Sequence, residues 1–184
     1  IKDFDLQALR HKMALVLQDV FLFSGSVFEN ITLRDESISR EKVLSAAKMI
    51  GAHEFIEKLP GGYDYQVMER GATLSMGQRQ LISFVRALVF EPDILILDEA
   101  TSSIDPASES VIQKAIETLI AQRTSIIIAH RLSTIMHAHK ILVMQRGEVM
   151  ESGSPEDLLK NEEGLFRKLH DMQFIQIESM ATST

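Results

Sequence analysis

Apolar residues along this chain change their period several times, and each change marks an element. Residues 13–18 (Met-Ala-Leu-Val-Leu-Gln) form a short apolar run that ends on a polar residue, the pattern of a buried strand with Gln18 at its tip. Residues 19–36 contain Gly25, Asn30 and several Ser and Asp residues, which predicts mostly loop with one helical turn near Phe28. Over 40–50 the period becomes helical: Val43, Ala47 and Ile50 share a face, Ser39 suits the N-cap and Gly51 the C-terminal stop. A shorter helix near 52–58 ends at Pro60-Gly61-Gly62, a strong turn signal. Leu81, Ile82, Val85, Leu88 and Val89 repeat at helical spacing over 76–90, and Pro92 closes that helix.

The second half alternates between the two periods. Residues 94–98 are an apolar strand of the kind found in parallel sheets covered on both faces. Residues 106–122 read as a helix with Asp105 as N-cap, Pro106 at its first position, and Val111, Ile112, Ala115, Ile116 and Leu119 as the buried stripe. A further apolar strand follows over 124–129. Two strands over 140–145 and 148–152 meet at Arg146-Gly147, a helix starts at Ser154-Pro155, and another covers 165–173. The tail after Phe174 is polar and reads as frayed. Strand–helix–strand alternation of this sort argues for an α/β layer with a mostly parallel sheet. The stretch 39–90, mostly helical between two strands, reads as a helical subdomain inserted into that sheet.

Composition narrows the function classes. The 184 residues are enough for one domain with a real core. A net charge of −7 disfavours a general nucleic-acid binder, which would carry a basic surface. With no Cys there is no disulfide framework and no thiolate metal site. No apolar run approaches the length that spans a bilayer. The chain starts at Ile1 without Met, as a piece of a longer protein would.

Several residues carry candidate chemistry. Asp98-Glu99 end an apolar strand, at the edge where open α/β sheets bind ligands. Phosphoryl transfer needs one carboxylate on Mg²⁺ and a second group on the attacking water; Asp98 suits the first role and Glu99 the second. Leu74-Ser75-Met76-Gly77-Gln78 open a helix whose free N–H groups and positive dipole end favour an anion, with the Ser75 hydroxyl as a further donor. His130 ends the next strand and emerges on the same sheet edge as Asp98, where it can meet a terminal phosphate oxygen. Gln18, at its own strand tip, can turn its carbonyl to Mg²⁺ or water. Each has a structural alternative that is as common or commoner for the isolated residue: solvated acids at a strand end, Ser75 and Asp105 as helix caps, a hydrogen-bonded His, a solvated Gln. His137 and His139 form an H-x-H pair without a third ligand nearby, which reads as surface loop. The nine Met residues read as gap-fillers on core faces.

In combination these pieces resemble the nucleotide-binding domain of ABC transporters over nearly the whole chain. Gln18, Leu74 to Gln78, Asp98-Glu99 and His130 are similar in order and spacing to the family's Q-loop, signature, Walker B with catalytic Glu, and switch His, and Thr101-Ser102-Ser103-Ile104-Asp105 to its D-loop. Phe21 to Ile31, and Glu69-Arg70-Gly71, which is similar to the exporter X-loop, narrow the likeness to exporters, of the MsbA-like multidrug or lipid kind.

The resemblance implies a P-loop NTPase-like fold organised as a Q-loop strand and loop (1–36), a helical subdomain with the signature (37–92), a part with Walker B, D-loop and switch His (93–173) and a tail (174–184). It implies ATP and Mg²⁺ as cofactors. It also implies head-to-tail pairing with a second nucleotide-binding domain, in a homo- or heterodimer, and coupling helices of a fused membrane domain as partners. The location it implies is the cytoplasmic face of a membrane. In that scheme Ser75 and Gly77 serve the γ-phosphate of ATP held by the partner, Gln78 belongs to the same cofactor-binding set, and Asp98 serves Mg²⁺, with Gln18 through water. Glu99 polarises water, His130 holds the γ-phosphate and Asp105 links the two sites. Met76 stands where the family has Gly, and Ser103-Ile104 where it has Ala-Leu.

The family's phosphate loop, G-x-x-x-x-G-K-[ST], is not within these residues, because no Gly is followed by Lys. The expectation is that this stretch alone does not hydrolyse ATP, and that the switch-His strand forms an unpaired sheet edge prone to association. Two other readings are a non-catalytic dimerisation or regulatory fragment and a DNA-repair ATPase. The latter expects a long coiled-coil insertion and a basic surface, unlike the short 18–74 segment here.

Overall fold

A computed structural model describes residues 4–68, 71–98, 106–121, 123–128 and 135–172. The chain forms two compact units, residues 1–128 and 129–184.

The first unit is built on a three-stranded parallel sheet. Strands β1 (Met13–Val16), β4 (Ile94–Asp98) and β5 (Thr124–Ile128) stand in the order β1-β4-β5. Val16 is opposite Leu97, and Asp98 opposite Ile128, so the three strands end at one common rim. Helix α1 (Leu6–His11), which the apolar pattern does not announce, leads into β1 and starts at Asp5, whose side chain accepts the Ala8 N–H. The chain enters β4 against the same corner: the Asp93 and Ile94 amides both donate to the Lys12 carbonyl, and Lys12 pairs with Asp93 at 2.7 Å.

The described elements between β1 and β4 are helices joined by loops, apart from two short strands. These are β2 (Gly25–Ser26) and β3 (Gln66–Val67), which pair antiparallel. Helix α2 (Val27–Thr32) replaces the single turn predicted near Phe28, and Ser26 and Glu29 form a reciprocal capping box at its start. Helix α3 (Arg40–Ile50) has the predicted caps, Ser39 accepting the Lys42 N–H and Gly51 in the left-handed region. Helix α4 (His53–Glu57) ends before a short 3-10 turn, Gly62–Asp64. Helix α5 (Met76–Val89) is the hub: it packs on α2, α3, β1 and α6 (Pro106–Ile120). Its predicted stripe of Leu81, Ile82, Val85, Leu88 and Val89 is buried, joined by Phe84 and Ala87.

Three expectations about burial fail. Among the described residues the two faces of the sheet differ: Leu95 and Leu97 are buried, whereas Leu15, Ile126 and Ile128, which point the other way, are exposed. On α6, Ile112, Ala115, Ile116 and Leu119 are buried but Val111 is not, because its position on the helix turns it away from the core. The methionines are not core fillers either. Every described one is exposed, from Met13 at 36% to Met68 and Met144 at 61%.

The second unit is a hairpin with helices. Strands β6 (Ile141–Gln145) and β7 (Glu148–Gly153) pair antiparallel across the predicted Arg146-Gly147 turn. Both turn residues have positive φ, as a two-residue hairpin of matching twist requires. Helix α7 (Pro155–Lys160) follows, capped by Ser154, and a closing helix covers residues 165–172. Ile141, Val143, Leu158 and Phe166 form a small core, and the Glu151 carboxylate accepts the Leu165 and Phe166 amides at the start of the closing helix.

Candidate functional site

Two of the predicted residues lie at the rim where the parallel strands end. Asp98 is the last residue of β4, half-buried, and Gln18 follows the end of β1, the strand paired directly beside it. Neighbouring parallel strands thus present an acid and an amide at one edge, as the open-sheet rule requires of a ligand site. Both are oxygen donors, a set that suits a hard divalent cation such as Mg²⁺. Glu99, Asp105 and His130, with the D-loop and the Glu69-Arg70 pair, lie outside the described residues.

Ser75, Gly77 and Gln78 stand on a different element, the first turn of α5. Ser75 is its N-cap: the Ser75 hydroxyl accepts the Gln78 N–H at 3.2 Å, and the Ser75 N–H donates to the Gln78 side-chain carbonyl at 2.9 Å. The structural alternative for Ser75 is therefore realised. Capping leaves Ser75 exposed, Gly77 buried in the first turn and Met76 39% exposed, so this turn offers a hydroxyl and a helix N-terminus at the surface.

The turn before α5 is braced by a side chain that no sequence pattern announces. Arg79 Nη1 donates to the Leu74 carbonyl at 2.7 Å and to the Gly71 carbonyl at 3.4 Å. Gly71 sits at φ +69, and a Cβ there would lie 2.8 Å from Arg79 Cδ and 3.1 Å from Leu22 Cδ1. A glycine is needed both for the backbone conformation and for the space.

Two further residues hold the segment after Gln18: Asn30, which the sequence reading places in a loop, and Arg86, which it does not single out. The Asn30 side chain, buried on α2, accepts the Phe23 N–H and donates to the Phe23 and Ser26 carbonyls. Arg86, on α5, donates to the carbonyls of Asn30 and Phe21. Burial pushes the Arg86 guanidinium below its ordinary value, and no carboxylate among the described residues pairs with it. Leu22 is fully buried, while Phe21 and Phe23 turn outward, half-exposed and edge to face at 4.9 Å.

Comparison with known proteins agrees with this architecture. The sequence profile of the ABC transporter family matches residues 1–102. A probable multidrug resistance ABC transporter ATP-binding/permease protein, YheH of Bacillus subtilis, is 47% identical over 98% of this chain, which covers 27% of that protein. The leukotoxin export ATP-binding protein LtxB of Aggregatibacter actinomycetemcomitans is 49% identical over 90% of this chain, covering 23% of it. The chain thus spans about a quarter of the length of these curated relatives. A solved bacterial Atm1-family ABC exporter with ATP bound superposes with a TM-score of 0.81 at 40% identity, over 91% of this chain and 29% of the other. The helical stretch between β1 and β4, the parallel rim and these likenesses together establish that the chain belongs to the ABC transporter family and has the fold of its exporter ATP-binding domains.

Proposed function

We propose that this chain is part of the ATP-hydrolysing engine of an exporter, acting at the cytoplasmic face of a membrane with a second nucleotide-binding domain and a fused membrane domain. The observation that carries the reading is the common rim, with Asp98 ending β4 and Gln18 following β1, the strand paired beside it. The capped start of α5 supports it as a second, separate anion-facing element.

ATP with Mg²⁺ supplies the phosphoanhydride bond and neutralises its charge. Asp98 would hold the metal side, and the Gln18 carbonyl the metal or the attacking water. Glu99 would take the proton of that water as it attacks, and His130 would hold the terminal phosphate oxygens. Ser75 would donate its hydroxyl proton to a phosphate oxygen of nucleotide carried by the partner, an action compatible with its cap, because the cap uses the oxygen as an acceptor. Gly77 and Gln78 would shape that turn, and Asp105 would pass the state of one site to the other. The outward aromatic pair Phe21–Phe23 and the X-loop-like Glu69-Arg70-Gly71 would face the coupling helices.

The test is Glu99→Gln in the full-length protein. It is expected to bind ATP and hold it, with turnover lowered by about 100-fold or more. Unchanged hydrolysis would remove Glu99 from its role and the reading with it. The isolated 184 residues, without a G-K phosphate loop, are expected to show no Mg-dependent turnover.

A further inference from the structure

Gln18 lies between two fixed points of the backbone. Upstream is β1, locked to β4 through Val16 opposite Leu97. Downstream is Phe21, whose carbonyl receives both terminal nitrogens of Arg86 at 3.3 Å each, while Arg86 Nε donates to the Asn30 carbonyl at 2.8 Å. Asn30 in turn grips Phe23 through both its N–H and its carbonyl, at 2.8 and 2.9 Å. The residue that ties this segment down belongs to α5, the helix that Ser75 opens. A planar guanidinium reaches two separate backbone carbonyls at once; an ammonium on a single stem cannot copy that fork.

We propose that Arg86 is a positioning residue for the chemistry at the sheet rim: it ties the backbone after Gln18 to the helix that starts at Ser75, so that both move as one piece. The inference rests on the function proposed above. Arg86 touches no reacting atom. It acts by holding the segment that carries Gln18, and misplacement of a positioned group by about 1 Å can cost on the order of 100-fold in rate.

The experiment uses the full-length protein with Arg86→Lys, Gln18→Ala and the double variant. Two quantities are read. One is hydrogen exchange of the amides in residues 19–24 without nucleotide, expected to quicken by about tenfold in Arg86→Lys. The other is ATP turnover: Arg86→Lys is expected to lower kcat by about tenfold with KM within about threefold, and the double variant to be no slower than Gln18→Ala by more than about twofold, since the two act through one group. Unchanged exchange, or losses that multiply in the double variant, would overturn the proposal and leave Arg86 as a structural brace. Should Arg86→Lys fail to fold, Asn30→Ala frees the same segment from its other side and goes through the same cycle with the same expectations. Glu99→Gln separates the two levels: if it abolishes turnover while the Arg86 cycle multiplies, only this inference falls.

Discussion

At Gly71 a hydrogen atom in place of a methyl group spares the turn before α5 both backbone strain and a close approach. The left-handed backbone there and the short approach of Arg79 and Leu22 leave no room for a Cβ. Gly71→Ala is expected to destabilise the first unit by about 1–3 kcal/mol and to displace Arg79 from the Leu74 carbonyl, as read by denaturant unfolding. Residues of this kind divide into those a sequence announces and those it hides. Ser39, Gly51, Ser75 and Ser154 are legible because a cap has a residue type and a fixed offset from an apolar period. Arg79 and Arg86 are hidden because a long polar side chain that reaches a backbone carbonyl leaves no periodic trace. The placement of Val111 and the methionines was misread for a related reason: apolar character says that a residue can be buried, not that a partner surface is present.

At the scale of elements, the turn after α4 stores a pH dependence. Tyr63 is buried, its hydroxyl 3.0 Å from His53 Nδ1, and desolvation, helped by the nearby Glu57 charge, pushes its pKa up to about 12. A raised value in the folded state means that the folded chain keeps a proton which the unfolded chain loses near pH 10. Its contribution is fully present below about pH 10 and is lost as pH rises toward 12. Denaturant unfolding between pH 9 and 12 is expected to show stability falling across that window, and Tyr63→Phe to flatten the fall. A slope unchanged by Tyr63→Phe would assign the effect to other groups. The long elements here were legible, since α3, α5, β4 and the β6–β7 hairpin each carry a full period or a defined turn. The two-residue strands β2 and β3 and the six-residue α1 were not, because so few residues hold no period and their pairing depends on contacts distant in sequence.

For the whole molecule, the exposed apolar side chains of the sheet have a cost. Among the described residues β5 pairs on one side only, and its Ile126 and Ile128 are 55% and 51% exposed. An unpaired strand edge flanked by exposed apolar side chains is a template for association. The isolated 184-residue chain is therefore expected to self-associate in sedimentation velocity, and the Ile126→Lys, Ile128→Lys double variant to shift it toward monomer; a monodisperse wild-type monomer would sink the idea. The adjacency of β1 and β4 has a temporal side as well. These partners are separated in the chain by the whole helical stretch. Parallel pairing must wait for closure of that long loop. During synthesis β1 consequently cannot pair with β4 until residues 94–97 have been made, and Gln18 and Asp98 are brought to one rim only after every residue of the helical stretch between them has been added.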